Sequence, residues 1–343
     1  MKAHPLTCYL FGAGRGDQRI NFNTWTNVAS TKVNITGGRI FGSVFGGGED
    51  GHVLGDVTMN ISGNTTKIGT TGTSYVDGNV FGGGRGFSGD AQTAGTVGGN
   101  ITMTISGGEM LGSVYGGGRL ASVGTLFTQP EAPNYGNFVE DGVDGKTYGH
   151  VTINISGGTI GNSVGNDVSG NVFGGSMGRL ELLNGMTNPI WPKMAQVKET
   201  NVNISGSAII KRSVFGGGEL GTVRDNAHVT ISGGTVNRDV YGGGYGSEDD
   251  DTHTIFTVKE PKPGVENPSS ADDYNDNTYA FTPMQFAGCV GGSTTVNISG
   301  GYVRKSVYGG GEMASVGVMN PRSCGNGKLY AVYAFQYVGS DSF

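Results

Sequence analysis

Apolar and polar residues alternate strictly over seven short segments, at 33–36, 59–62, 103–106, 153–156, 202–205, 229–232 and 296–299. The first reads Val33-Asn34-Ile35-Thr36 and the fourth Ile153-Asn154-Ile155-Ser156. A period of two with β-branched residues at most positions is the pattern of a half-buried strand. The glycines that follow predict a turn that ends it. Four to six residues later comes a box of Val, then Phe or Tyr, then a glycine run. Its copies begin at Val44, Val80, Val114, Val172, Val214, Val240 and Val307, and Leu10-Phe11-Gly12-Ala13-Gly14 is a degenerate earlier copy. A small polar residue, such as Ser43 or Asn79, precedes each Val, so alternation turns the Val inward on a second strand. A third short element is visible in four copies, for example Glu49-Asp50-Gly51-His52-Val53 and Glu219-Leu220-Gly221-Thr222-Val223.

Many copies of one unit with variable filler are the mark of a structural repeat rather than of one catalytic constellation. Three strands per unit, glycine corners and a shortest period of 26 residues, from Phe215 to Tyr241, predict an all-β chain. The expected form is a single-stranded, right-handed parallel β-helix, a β-solenoid of about 7–8 coils. At ~4.8 Å per coil the rod is on the order of 35–40 Å long. A propeller blade needs about 40 or more residues, so the shortest repeat excludes it. The repeat domain is read as 1–318, with insertions near 65–77, 87–99, 125–149, 182–199 and 246–292. Most of these insertions follow the box, so they are expected to leave from one corner of the rod and to form a binding face. Residues 319–343 break the pattern and read as a cap or the start of another module. The chain is expected to be a piece of a longer array whose uncapped coils associate end to end.

Composition sharpens this picture. Glycine accounts for 67 of 343 residues, but there is no Gly-X-Y triplet, which excludes collagen. A net charge of −6 and the absence of a run of Lys and Arg argue against nucleic acid as a partner. No apolar stretch approaches the ~20 residues of a membrane span. Cys8, Cys289 and Cys324 share no metal-ligand spacing, and no export signal is visible at the start.

The column Phe45, Phe81, Tyr115, Phe173, Phe215, Tyr241 and Tyr308 is a candidate sugar-docking stack, because rings out of phase with inward Val can face solvent. Packing of these rings over the following glycines is the favoured alternative. The aligned Asn34, Asn60, Asn154, Asn203 and Asn297 match glycosylation acceptors, but their common register favours hydrogen-bonded ladders along the stack. Asp273, Asn275 and Asn277 have the alternate spacing of a calcium loop without its Gly and closing Glu, which makes them a weak candidate for structural calcium; no other cofactor is expected. His52, His150 and His228 are expected at solvated strand edges. Glu49, Glu219 and Glu312 share a register with Arg85 and Arg119, which suits salt bridging between coils better than acid–base work. Gly12-Ala13-Gly14-Arg15-Gly16 lacks the helix that a phosphate loop requires.

With these registers in hand, the chain resembles the Gly-rich, adhesin-like surface proteins of gut bacteria, which repeat a "GG-x-I…V-Y/F-GGG" unit. That resemblance covers roughly residues 10–318. It implies a secreted or cell-surface location and a non-catalytic structural or adhesive role, with glycan or a host or microbial surface protein as partner. The alternative is a polysaccharide lyase or glycoside hydrolase on a β-helix, which would require two or more carboxylates grouped in a groove.

Overall fold

The computed structural model describes residues 8–16, 26–73, 77–86, 94–124, 141–142, 145–162, 169–178, 195–246, 256–261, 274–281 and 287–317. Among these the regular structure is entirely β, and the strands pair in parallel except in one hairpin, Phe256–Pro261 with Tyr274–Phe281.

Two parallel sheets follow the two sequence registers. The box sheet contains eight two-residue strands in chain order, from Leu10–Phe11 to Val307–Tyr308, with Val opposite Val and ring opposite ring. Leu10 pairs with Val44, so the degenerate first box is a true copy. The long sheet stacks Thr31–Ile35, Val57–Ile61, Ile101–Met110, His150–Ile160, Glu199–Ile204, Ala227–Val236 and Thr294–Val303, also in chain order. Inward Val, Ile and Met residues of both sheets form one aliphatic core, with Val44, Met59, Met103, Ile153, Val172 and Val229 at 0% exposure. Each such side chain contributes roughly 1.5–3 kcal/mol of burial.

The glycine pair ends the strand, as the sequence predicts, after Thr31–Ile35, but not in four later repeats. In Ile101–Met110, His150–Ile160, Ala227–Val236 and Thr294–Val303 the strand continues through the pair. Register shifts mark a bulge there in two of the pairings, and the second glycine takes positive φ (Gly108 +90°, Gly158 +84°). Three repeats carry the same ladder in two pieces: Thr31–Ile35 with Arg39–Ile40, Val57–Ile61 with Lys67–Ile68, and Glu199–Ile204 with Ile209–Ile210. Both pieces of the last lie between His150–Ile160 and Ala227–Val236, which closes a ring of four pairings.

None of the box glycines Gly46, Gly82, Gly116, Gly174, Gly216 or Gly242 takes positive φ. What they supply is close approach. A Cβ on Gly116 would stand 2.2 Å from the carbonyl oxygen of Gly174, and one on Gly216 would stand 2.1 Å from that of Gly242.

A third row links all eight repeats by single bridges rather than the four visible in sequence. It runs Arg15, Glu49, Arg85, Arg119, Met177 and then Glu219, Tyr245, Glu312, and is followed by a Val row at Val28, Val53, Val97, Val123, Val197, Val223, Val290 and Val316. Between these two rows the repeats alternate. Glu49, Arg119, Glu219 and Glu312 lead into a tight turn through a left-handed residue, Asp50, Leu120, Leu220 or Met313. After Arg15, Arg85, Met177 and Tyr245 the chain instead leaves at Gly16, Gly86, Gly178 and Gly246 and returns later, so the insertions of alternate repeats share one corner. The insertion near 125–149 departs after Val123 and Gly124, from the next corner, and so does not join that set. Residues 319–343, read in sequence as a cap or further module, lie outside the described residues.

Candidate functional site

The outer face of the box sheet is closed. Its rings stack with centroids 4.6–5.0 Å apart along the whole column from Phe11 to Tyr308. Phe45, Phe81 and Tyr115 are 1% exposed, Phe173 and Phe215 2%, and Tyr241 9%; Tyr308 alone of the predicted column is open, at 46%. Six of the seven proposed sugar-docking rings are therefore unavailable. The third row folds over them, with Tyr9, Met177 and Tyr245 packed against the column. Charged members of that row pair between coils as predicted, Arg15 Nε to Glu49 Oε2 at 3.3 Å and Arg85 Nη1 to Glu49 Oε1 at 3.2 Å. Farther along, the Tyr115 hydroxyl donates to the buried Glu219 carboxylate. Burial pushes the Glu219 carboxyl up to about 7, and the Tyr115 hydrogen bond opposes the shift only in part. The same layer raises Tyr241, first through burial and then through Glu312 and Asp239.

The outer face of the long sheet is open. Its row after the glycine pair is Arg39, Lys67, Glu109, Thr159, Ile209, Thr235 and Tyr302, each Cα in register with the next. Ile209 is 38% exposed and Tyr302 75%. A groove of about 520 Å³ crosses this row, lined by Asn64, Ser106, Glu109, Thr159, Ser207 and Lys211 with glycine backbone between them. Lys67 Nζ lies 2.7 Å from Glu109 Oε2 at one side of it. Nearby, Asn60 Nδ2 donates to Asn34 Oδ1 at 2.9 Å and Asn203 Nδ2 to Asn154 Oδ1 at 3.0 Å, so the Asn register forms coil-to-coil links. Hydroxyls, amides, one open ring and a shallow trough can hydrogen-bond and stack a polar, ring-shaped ligand.

Beside this face lies a basic corner, built from cations that form no long run in the sequence. Lys211-Arg212, Arg238 and Arg304-Lys305 are far apart in sequence but occupy the same turn of three successive repeats. The Arg238 amide bonds to the Arg212 carbonyl at 3.1 Å, Asn237 to Ile210 at 2.9 Å and Arg304 to Val236 at 2.9 Å. The rings of the same repeats, Phe215, Tyr241 and Tyr308, are spaced 4.8 and 4.9 Å apart. Two carboxylates, Asp239 and Glu312, balance part of this charge. Burial raises Glu312, Asp239 adds to the rise, and Tyr241, Arg212 and Arg238 oppose it. Earlier repeats carry Phe41-Gly42 and Leu111-Gly112 at this turn and have no such charge.

Of the three histidines expected at solvated strand edges, the structure overturns the reading for His52. His52 is 5% exposed, its Nδ1 is 2.8 Å from Thr96 Oγ1, and burial lowers it to about 4, so it is neutral. His150 joins a charged cluster, with Nε2 2.9 Å from Asp141 Oδ2 and Nδ1 3.7 Å from Glu199 Oε1, while Lys198 Nζ reaches Asp141 Oδ1 at 3.1 Å. His228 pairs opposite Asn201 and is half-buried. Of the calcium candidates, Asp273 lies outside the described residues, and Asn275 and Asn277 sit on the strand Tyr274–Phe281 rather than in a loop. Among the described residues no group of three or more His, Cys, Asp or Glu is placed to hold a metal ion, and no helix is long and apolar enough to cross a membrane.

Compared with protein-family models, curated proteins and solved structures, the chain matches none.

Proposed function

We propose that the chain is a stretch of single-stranded, right-handed parallel β-helix that serves as a non-catalytic, secreted or cell-surface adhesive rod. Each repeat gives one strand to the long sheet, one to the box sheet and one bridge to the third row, all in chain order, as winding coils would. The general handedness of parallel crossovers supports the right-handed sense. Glycan is the partner that best fits the open face. The observation that carries this is the outward row itself: a groove lined by hydroxyl and amide groups crosses it at Thr159, the row continues through Ile209, 38% exposed, and Thr235, and it reaches the ring of Tyr302 in the last described repeat, where Ile298 and Val307 are exposed as well. An aromatic face offers a sugar ring an apolar platform while its hydroxyls meet Asn, Ser and Thr. A glycan array probed with the whole chain is expected to show binding that Tyr302→Ala removes. Absence of any bound glycan, with the β circular dichroism intact, would leave scaffolding or protein contact as the role.

A second reading, a polysaccharide-cleaving enzyme, draws on the Asp141, His150, Lys198 and Glu199 cluster, where Lys198 has a side chain only 4% exposed. Incubation with a panel of polysaccharides, followed by detection of new reducing ends, separates the two. Release of products that His150→Ala abolishes would establish the enzyme.

A further inference from the structure

We infer that the glycan taken by this face is a linear acidic polysaccharide, held by the corner row Lys211, Arg212, Arg238, Arg304 and Lys305 with Tyr302 as its stacking platform. This rests on the glycan-binding reading and adds the chemical class.

Among the described residues, the three coils of the corner carry five cations, with the carboxylates Asp239 and Glu312 beside them, in a chain whose net charge is −6. Such a local excess of positive charge on an acidic molecule attracts anions to one place and repels them elsewhere. Arg304 and Lys305 are exposed and in the same coil as Tyr302, whereas Lys211 also lines the groove. An anion therefore meets cations and the polar trough on one continuous surface. The successive coils rise by 4.8 and 4.9 Å, judged from the rings of Phe215, Tyr241 and Tyr308, which is comparable to the length of one sugar unit. A chain of uronate units laid along the rod would thus present its carboxylates to one coil after another. Guanidinium groups pair with carboxylates through two parallel hydrogen bonds, and three of the five cations are arginines.

Nucleic acid is the rival polyanion, and the surface fits it less well. Nucleic-acid affinity rises with the number of phosphates neutralised, and here, among the described residues, five cations are partly offset by Asp239 and Glu312. Duplex DNA also offers no exposed ring face to Tyr302. The hydroxyl and amide lining of the groove suits sugar hydroxyls along the whole length of the ligand.

The test is affinity electrophoresis of the full chain in gels containing polygalacturonate, a neutral linear glucan or duplex DNA, each over a series of salt concentrations. Retardation by polygalacturonate that weakens as salt rises is expected. The double variant Arg304→Glu with Lys305→Glu should lose at least tenfold in affinity, and Tyr302→Ala should also weaken it. Lys32→Glu with Lys146→Glu, a like change of charge on exposed residues outside the row and the corner, should leave binding within twofold; this controls for net charge. Thermal melts of all variants check folding, and Lys211→Gln provides a milder second probe. Equal retardation by glucan and polygalacturonate, or an unaffected double variant, overturns the acidic class while leaving glycan binding in place. Binding by duplex DNA at lower concentration than by polygalacturonate overturns it in favour of nucleic acid. Retardation by neither polysaccharide, with a blank glycan array, removes both readings.

Discussion

The two sheets of this molecule share one aliphatic core but treat their outer faces in opposite ways. Outside the box sheet, stacked rings are roofed by the third row, and the charged groups there turn to each other or to tyrosine hydroxyls. Outside the long sheet no roof is built, and the row from Arg39 to Tyr302 meets solvent. The difference begins with the glycines. Carbonyl oxygens of neighbouring repeats stand where the Cβ atoms of the box glycines would be, so the backbone there is packed without side chains. The short link that follows then brings the third row over the rings. The long strand instead passes through its glycine pair as a bulge and keeps its outward side chains free. An aromatic residue is thus a buried core residue on one face and an outward-facing one on the other, which the ring itself does not reveal.

The largest expected effect breaks this comparison directly. Phe173→Ala removes a ring stacked on both sides inside the roofed layer and should cost about 3–5 kcal/mol by chemical denaturation. Tyr302→Ala, at an open position, should stay within about 0.5 kcal/mol. Equal losses would mean that both faces are packed alike.

The second prediction uses pH and two buried groups of opposite sign. Glu219 titrates near 4.5 when unfolded and is pushed up to about 7 in the fold, so its contribution is fully present below 4.5 and is lost as pH rises through 7. His52 titrates near 6.5 when unfolded and is lowered to about 4, so its contribution is present above 6.5 and is lost as pH falls through 4. Each is worth about 3 kcal/mol at its extreme. Between about pH 4.5 and 6.5 the two contributions change with equal slope and opposite sign, so the melting temperature should stay nearly flat from pH 4 to 8. Glu219→Gln should unmask the rise of stability with pH that His52 causes, and His52→Gln the fall that Glu219 causes. A parent profile that already rises as steeply as that of Glu219→Gln would show that the roofed layer is not dry.

The smallest effect sharpens the open face. Lys67→Ala breaks the ion pair with Glu109, whose side chains are 36% and 40% exposed, and should cost less than about 1 kcal/mol. Raising the salt concentration should erase even that difference.

Much of the fold was legible because strand alternation and the box recur in fixed relation, and every register read from sequence reappears as a ladder of Cα partners. The roles of individual glycines were not, since close approach and positive φ leave the same letter in a sequence. Nor was the full third row, because insertions split it in alternate repeats and leave only Arg15, Arg85, Met177 or Tyr245 before the break. The aromatic column could be aligned, but its cover comes from residues several positions later and from adjacent coils. His52 looked like a strand edge, and its burial depends on Thr96 in the next repeat. The basic corner escaped a search for runs of charge. It would have emerged from aligning the residue before the small polar position of each box, where Arg212, Arg238 and Lys305 fall together.

The central claim, one face roofed and the other open for a ligand, is tested most directly by acetylating tyrosines of the folded chain and mapping the products by mass spectrometry, with and without polygalacturonate. Tyr302 should react fast and become protected when the polysaccharide is present, while Tyr115 and Tyr241 stay unmodified until the protein unfolds. Modification of Tyr115 or Tyr241 at the rate of Tyr302 would contradict the account.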